Sequence, residues 1–415
     1  MNTKRKGYKL ITIFIAAMLS TSAMLGGCSC SISDAPHSGS TPNSYTGTGE
    51  SGFTSKPDSD SAIRPDSEPA GTLTNEATLN PLYLRAEELL GTMTLEEKVG
   101  QMFFVRCPSE DAVQKLDEYH IGGYILFAND FEDKTFSEAE RMIAEYLSFE
   151  LTPFIAVDEE GGTVNRVSKF KAFRDEPFKS PRELYENGGF EKVRNDTIEK
   201  CSILKSLGIN CNFAPVCDIS MNPKSFIYKR SFGKDANTTS EYVKNVVEEM
   251  KINGMGSVLK HFPGYGDNVD THNDIGWDMR PYSAFLESDF LPFRAGIKAG
   301  ADMVMVSHNI MACVDDNYPS SLSPAVHALL RNELNFDKVI ITDDLTMSGA
   351  NEIASGAEGA ILAVLAGNDM LCCSDFEIRI PAVIQAVEVG EIPIERIDES
   401  VLRILMLKLE MGLIA

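Results

Sequence analysis

From residue 83 onward, short apolar runs alternate with longer segments in which apolar side chains recur every three or four positions. The runs fall at residues 99–105, 123–127, 154–157, 211–216, 257–259, 303–306, 339–341 and 369–372. Segments of helical period lie at 137–147, 190–207, 240–253, 282–299, 324–335, 352–365 and 378–389, and 394–411 reads as a C-terminal helix. Strands that are apolar along their whole length, joined by helices, predict a parallel sheet covered on both faces. Eight such strands favour a closed (β/α)₈ barrel, one α/β catalytic domain over 81–415, over an open doubly wound sheet. No Gly-x-Gly-x-x-Gly follows an early strand, which counts against a dinucleotide-binding sheet.

Polar residues stand where these runs end. Asp158 follows 155–157, Lys260 and His261 follow the fifth run, Ser307-His308-Asn309 follows the sixth, and Asp343 follows the seventh. In a barrel, side chains at strand C-termini converge on one mouth, so their joint occurrence points to a catalytic site. The segment 256–272 is the richest: a buried run, the basic pair, a Gly- and Pro-rich loop, then Asp270-Thr271-His272. An Asp two residues before a His can bond one ring nitrogen and leave the other for proton transfer.

The first eighty residues belong to a different regime. Lys4, Arg5, Lys6 and Lys9 precede a short apolar core at 10–19, too short to span a bilayer, as in an export signal. Leu25-Gly26-Gly27-Cys28 resembles a bacterial lipobox, which makes 1–27 a lipoprotein signal peptide and Cys28 the lipidation site. Residues 28–80 are dominated by Ser, Thr, Gly, Pro and Asp and predict a disordered tether. The expected location is the outer face of the cell membrane, held by the N-terminal lipid.

Formal net charge is -23, and loss of the four basic leader residues would take it to -27. So acidic a chain opposes nucleic acid and anionic lipid, leaving acyl chains to hold the membrane. Of nine Cys, seven are scattered through the folded part with no Cys-x-x-Cys spacing, which favours core thiols over a disulfide framework.

The string Lys260-His261-Phe262-Pro263-Gly264-Tyr265-Gly266-Asp267 through His272 resembles the signature of the β-N-acetylhexosaminidases of glycoside hydrolase family 3. The resemblance extends over most of 83–415. Residues 93–102, the block Asp158-Glu159-Glu160-Gly161-Gly162-Thr163-Val164-Asn165-Arg166, the segments 212–218 and 229–233, Thr342-Asp343-Asp344, and 366–369 are all similar to family blocks. It implies a retaining exo-β-N-acetylhexosaminidase with no metal or cofactor. Its substrate would be an N-acetylglucosamine-containing glycan such as a peptidoglycan fragment. Asp343 would be the nucleophile, His272 the general acid and base, and Asp270 the residue that orients it. Asp158, Arg166, Arg230, Lys260 and His261 would grip the sugar hydroxyls. Three departures stand out: the loop 266–270 is one residue shorter, Tyr265 replaces a His, and Thr163 and Asn165 replace Arg and Gln.

Other readings compete. The β-glucosidase branch of the family usually draws its acid/base Glu from an added domain, whereas Asp-x-His is present here. A metal-dependent barrel hydrolase would need a His-x-His on the first strand, where Phe104-Val105-Arg106-Cys107 stands. A phosphorolytic variant stays open, as does a catalytically inactive glycan-binding lipoprotein.

Overall fold

The computed structural model describes residues 80–271 and 275–415. The leader, Cys28, the tether through residue 79, and His272 lie outside the described residues.

Eight parallel strands form one sheet. In chain order they are Phe103–Arg106, Gly123–Leu126, Phe154–Val157, Cys211–Asn212, Gly256–Phe262, Met303–Val306, Val339–Thr342 and Leu371–Cys373. Each pairs with its neighbours in sequence, and the eighth also pairs with the first. The seventh and eighth strands meet at an Ile341–Met370 bridge, with the Met370 N–H donating to the Ile340 carbonyl at 3.0 Å. That contact closes the ring, so the expected (β/α)₈ barrel is the fold. Its interior is packed with side chains: Phe104 stacks 6.0 Å from Phe154 and lies edge-on to Phe213 at 5.0 Å.

Strand boundaries differ from the hydrophobic runs for identifiable reasons. The run 99–105 begins as helix, Leu95–Gln101, and only Phe103–Arg106 is strand. Thr94 explains this: its hydroxyl accepts from the Glu97 N–H at 3.2 Å while Glu97 accepts from the Thr94 N–H at 2.8 Å. This reciprocal cap starts a helix that the apolar pattern alone cannot reveal. The run 211–216 keeps only Cys211–Asn212 as strand, because Pro215 has no N–H to give a ladder. The run 257–259 is longer than expected. Lys260 and His261 lie inside the buried strand Gly256–Phe262, not after it.

The helix expected at 190–207 is the second half of Pro181–Ser206, which breaks at Gly188 and Gly189. The helix expected at 352–365 runs Gly356–Ala366. Helices Pro81–Thr92 and Ala112–Glu118 have no counterpart in the pattern reading. Among the described residues no helix is long and apolar enough to cross a membrane. Cys107, Cys201, Cys211, Cys217, Cys372 and Cys373 are buried thiols, as the spacing suggested, and Cys313 is exposed.

Candidate active site

The third strand ends at Val157, and the chain continues extended through Asp158, Glu159 and Glu160. Alternation then sends Asp158 and Glu160 to one side and Glu159 to the other. Glu159, fully buried, becomes a scaffold: one carboxylate oxygen accepts from the Arg166 N–H at 2.7 Å and the Val167 N–H at 2.8 Å, and the other is bonded to the Ser168 hydroxyl. These bonds fold the Gly161-Gly162 turn back on itself. Both glycines sit at positive φ, and a Cβ on Gly161 would come within 2.3 Å of the Lys179 carbonyl.

Asp158 and Glu160 reach the fifth strand instead. Lys260 Nζ lies 2.7 Å from Asp158 Oδ1 and 2.7 Å from Glu160 Oε1. Arg230, from the segment between the fourth strand and the helix Ala236–Ile252, forks onto Glu160 at 2.8 and 3.0 Å. Arg166 donates to Asp158 at 3.1 Å and lies over the Phe127 ring at 4.8 Å. Burial alone would raise the pKa of both carboxyls. For Glu160 the Arg230 and Lys260 charges outweigh burial and hold it well below the usual carboxylate range. For Asp158 the Lys260 charge, and then the Arg166 charge, outweigh burial and lower it. Both are anions at any working pH.

His261 joins this network from the side. Its Nδ1 lies 2.7 Å from Asp218 Oδ2 and its Nε2 lies 3.1 Å from Arg230 Nη2. A carboxylate accepts and a guanidinium donates, so the ring donates its Nδ1–H to Asp218 and accepts a hydrogen bond from Arg230 at Nε2. It is a neutral bridge here. All five residues that the sequence nominated for sugar binding thus meet in one cluster.

Asp343 stands at the end of the seventh strand, its N–H donating to the Val306 carbonyl at 2.9 Å. Its carboxylate accepts the Asp344 N–H at 2.9 Å. His308 braces this turn: Nε2 is 2.9 Å from the Asp344 carbonyl, so it donates there, and Nδ1 is 2.7 Å from the Ser321 hydroxyl. Two buried groups beside these strand ends have raised pKa values. The Tyr265 phenol is pushed well up first by burial, then by the Asp343 charge, and it also senses Asp218 and Arg230. Cys372 is pushed up by burial, then by Asp344, Asp343 and Asp158. Asp158 follows the third strand and Asp343 the seventh, so in this parallel barrel both stand at its C-terminal mouth. Asp270 is half-buried on the loop beside it.

Sequence reasoning missed Glu160 and Asp218. Alternation within Asp158-Glu159-Glu160 was the signal for the first. For Asp218 the signal was its place at the end of the matching block 212–218. Among the described residues no group of three or more His, Cys, Asp or Glu side chains is placed to hold a metal ion.

A barrel with this mouth belongs to a known class. The N-terminal domain of glycosyl hydrolase family 3 matches residues 94–407, and the chain is a member of that family. Beta-hexosaminidase LpqI of Mycobacterium tuberculosis is 32% identical over 327 residues, covering 75% of this chain and 82% of that protein. A solved family 3 beta-N-acetylglucosaminidase from Paenibacillus sp. str. FPU-7 superposes with a TM-score of 0.72 at 31% identity. The match covers 78% of this chain and 63% of the Paenibacillus protein, so this chain spans less than two thirds of it. The solved structure of M. tuberculosis LpqI gives a TM-score of 0.70 at 27% identity, covering 77% of this chain and 95% of that one.

Proposed function

We propose that the protein is a retaining exo-β-N-acetylhexosaminidase that removes terminal N-acetylglucosamine from β-linked glycans, peptidoglycan fragments in particular. The observation that carries this reading is the shared mouth. One strand-end carboxylate, Asp343, stands at the same end of the barrel as an ion network whose carboxylates are neutralised by Lys260, Arg166 and Arg230. Such a network suits an uncharged sugar, since it offers hydrogen bonds without a large net field.

In the proposed mechanism Asp343 attacks the anomeric carbon and forms a glycosyl-enzyme, and its charge complements the oxocarbenium-like transition state. His272 protonates the leaving oxygen, then deprotonates the water that releases the sugar. Asp270 sets the imidazole tautomer. Asp158, Lys260, Arg230, Arg166 and His261 hold the hydroxyls, with Glu160 and Asp218 keeping the cations and the ring in place. Support for the activity also comes from the names of the relatives, LpqI and the Paenibacillus enzyme.

The same proposal places the domain outside the cytoplasmic membrane. Residues 1–27 would be cleaved, Cys28 lipidated, and 28–80 would tether the folded part. The first described helix begins at Pro81, where the Ser-, Thr- and Pro-rich stretch ends.

The test is a rate comparison on aryl β-N-acetylglucosaminide and aryl β-glucoside, with and without phosphate, with the anomer of the first product read by NMR. The reading expects strong preference for the first substrate and a β product. Preference for the glucoside, or an α first product in water, overturns it. Formation of a sugar 1-phosphate moves the enzyme to phosphorolysis.

A further inference from the structure

We propose that Tyr265 is a positioning residue for the acid/base group: its hydroxyl, with the Gly349 N–H, fixes Thr271 and so sets where the chain enters His272. The inference rests on the assignment of the acid/base role to His272.

Tyr265 Oη lies 2.6 Å from Thr271 Oγ1. The Gly349 N–H donates to the Thr271 carbonyl at 3.0 Å. One bond holds the side chain of Thr271 and the other its main chain. They come from different directions, since Tyr265 is on the loop after the fifth strand and Gly349 on the segment after Asp343. Thr271 is fully buried, and so is Tyr265 apart from 1% of its surface. A hydroxyl buried this deeply needs its partner, because leaving it unmade costs more than the bond gains.

Both holders are themselves fixed. The Tyr265 ring lies edge-on to Phe226 at 4.9 Å and to His261 at 5.1 Å. Its N–H donates to Asp218 Oδ1 at 2.8 Å, and the other oxygen of Asp218 holds His261. Gly349 is pressed between neighbours: a Cβ there would come within 2.9 Å of His308 Cβ and 3.0 Å of Thr271 Cβ. Its φ is not positive, so the missing side chain serves close approach. Thr271 is therefore the point where the nucleophile segment, the sugar-binding cluster and the acid/base loop are joined.

The residue type matters. The family pattern that this chain resembles carries a His where Tyr265 stands, and an imidazole is shorter than a phenol. Burial first, and then the Asp343 charge, keep the phenol protonated at any working pH. It can bond Thr271 throughout the catalytic range. The loop of this chain is thus fastened to Tyr265 through Thr271.

Tyr265→Phe keeps the ring and removes the bond. For aryl β-N-acetylglucosaminides with poor leaving groups, kcat should fall about five- to tenfold, the effect of losing one hydrogen bond. With the best leaving groups, the glycosylation rate should change less than about twofold, and KM should stay within about twofold throughout. Thr271→Val should reproduce this, Thr271→Ser should restore the wild-type pattern, and the double variant should be no worse than either single one. An equal loss across all leaving groups, a rise in KM alone, or additive losses in the double variant would overturn the proposal. His272→Ala in the same series separates the two ideas. A flat response there sinks the acid/base assignment itself. A steep response there with a flat one in Tyr265→Phe sinks only the role of Tyr265.

Discussion

Lys260 Nζ and Glu160 Oε1 lie 2.7 Å apart with both side chains nearly sealed from water. Glu160 also holds Arg230, and Lys260 also holds Asp158, which in turn holds Arg166, so Glu160, Lys260 and Asp158 each have an opposite charge on either side. An unbroken buried row tolerates desolvation, but removal of one member strands the rest. Glu160→Gln keeps the shape and removes the charge. The variant should lose about 3 kcal/mol of stability, with a lower melting temperature. KM for an N-acetylglucosaminide should rise about tenfold or more, because Lys260 and Arg230 lose the group that aims them. A variant with unchanged KM would show that Glu160 serves the fold alone.

Asp343 and His272 have separable tasks in the proposed mechanism. Asp343→Asn should lower turnover on the order of a thousandfold or more for every substrate, since an amide cannot form the glycosyl-enzyme. His272→Ala should hurt poor leaving groups most and let the intermediate accumulate with activated ones. Asp270→Asn should give a milder form of the same profile. The measurement is a rate series across leaving groups of different pKa, with mass spectrometry of the trapped protein. A uniform loss in His272→Ala would move the acid role to another residue.

Much of this was legible in the sequence, for physical reasons. Continuous apolar runs with helical crossovers can bury both faces only in a parallel sheet, so the barrel followed from the pattern. Asp158, Lys260 and His261 stand at the ends of apolar runs, and the family resemblance alone added Arg166 and Arg230; the structure brings the five side chains together. What was missed depends on partners distant in sequence. Lys260 can stay inside a buried strand only because Asp158 and Glu160, a hundred positions earlier, neutralise it. Nothing local to 257–259 says so. The capping box at Thr94 and Glu97 was readable, but the apolar run across 99–105 masked the helix it starts. The link between Tyr265 and Thr271 is a loop contact that no periodicity encodes.

The proposed anchor is tested at one atom. If Cys28 carries the lipid, Cys28→Ser should shift the protein from the membrane fraction to the soluble one, or leave the precursor unprocessed. The catalytic rate of released protein should not change, because the described domain starts after the tether. Membrane fractionation with mass spectrometry of the N-terminal peptide reads this directly. Unchanged membrane association without lipid on Cys28 would refute the anchor.

At the other end of the barrel, Lys408 gives a stability prediction. Its ammonium is fully buried, 2.7 Å from Gln101 Oε1 and 5.3 Å from the Phe154 ring centroid. Burial lowers its pKa to about 7 from the ordinary 10.5. Between those two values the unfolded chain binds a proton that the folded chain does not. Stability therefore rises with pH across this window, and below about pH 7 the folded protein bears the cost of a buried charge. From pH 7 to pH 9 the gain from this group should be on the order of 2 kcal/mol, read by urea denaturation at the two pH values. Lys408→Met fits the apolar surroundings and removes the titration. It should be more stable than the parent at pH 7 by about 1–3 kcal/mol, allowing for the bond Gln101 loses, and should lack this rise toward pH 9. Equal pH slopes in the parent and the variant would show that Lys408 is ionised in the folded protein throughout.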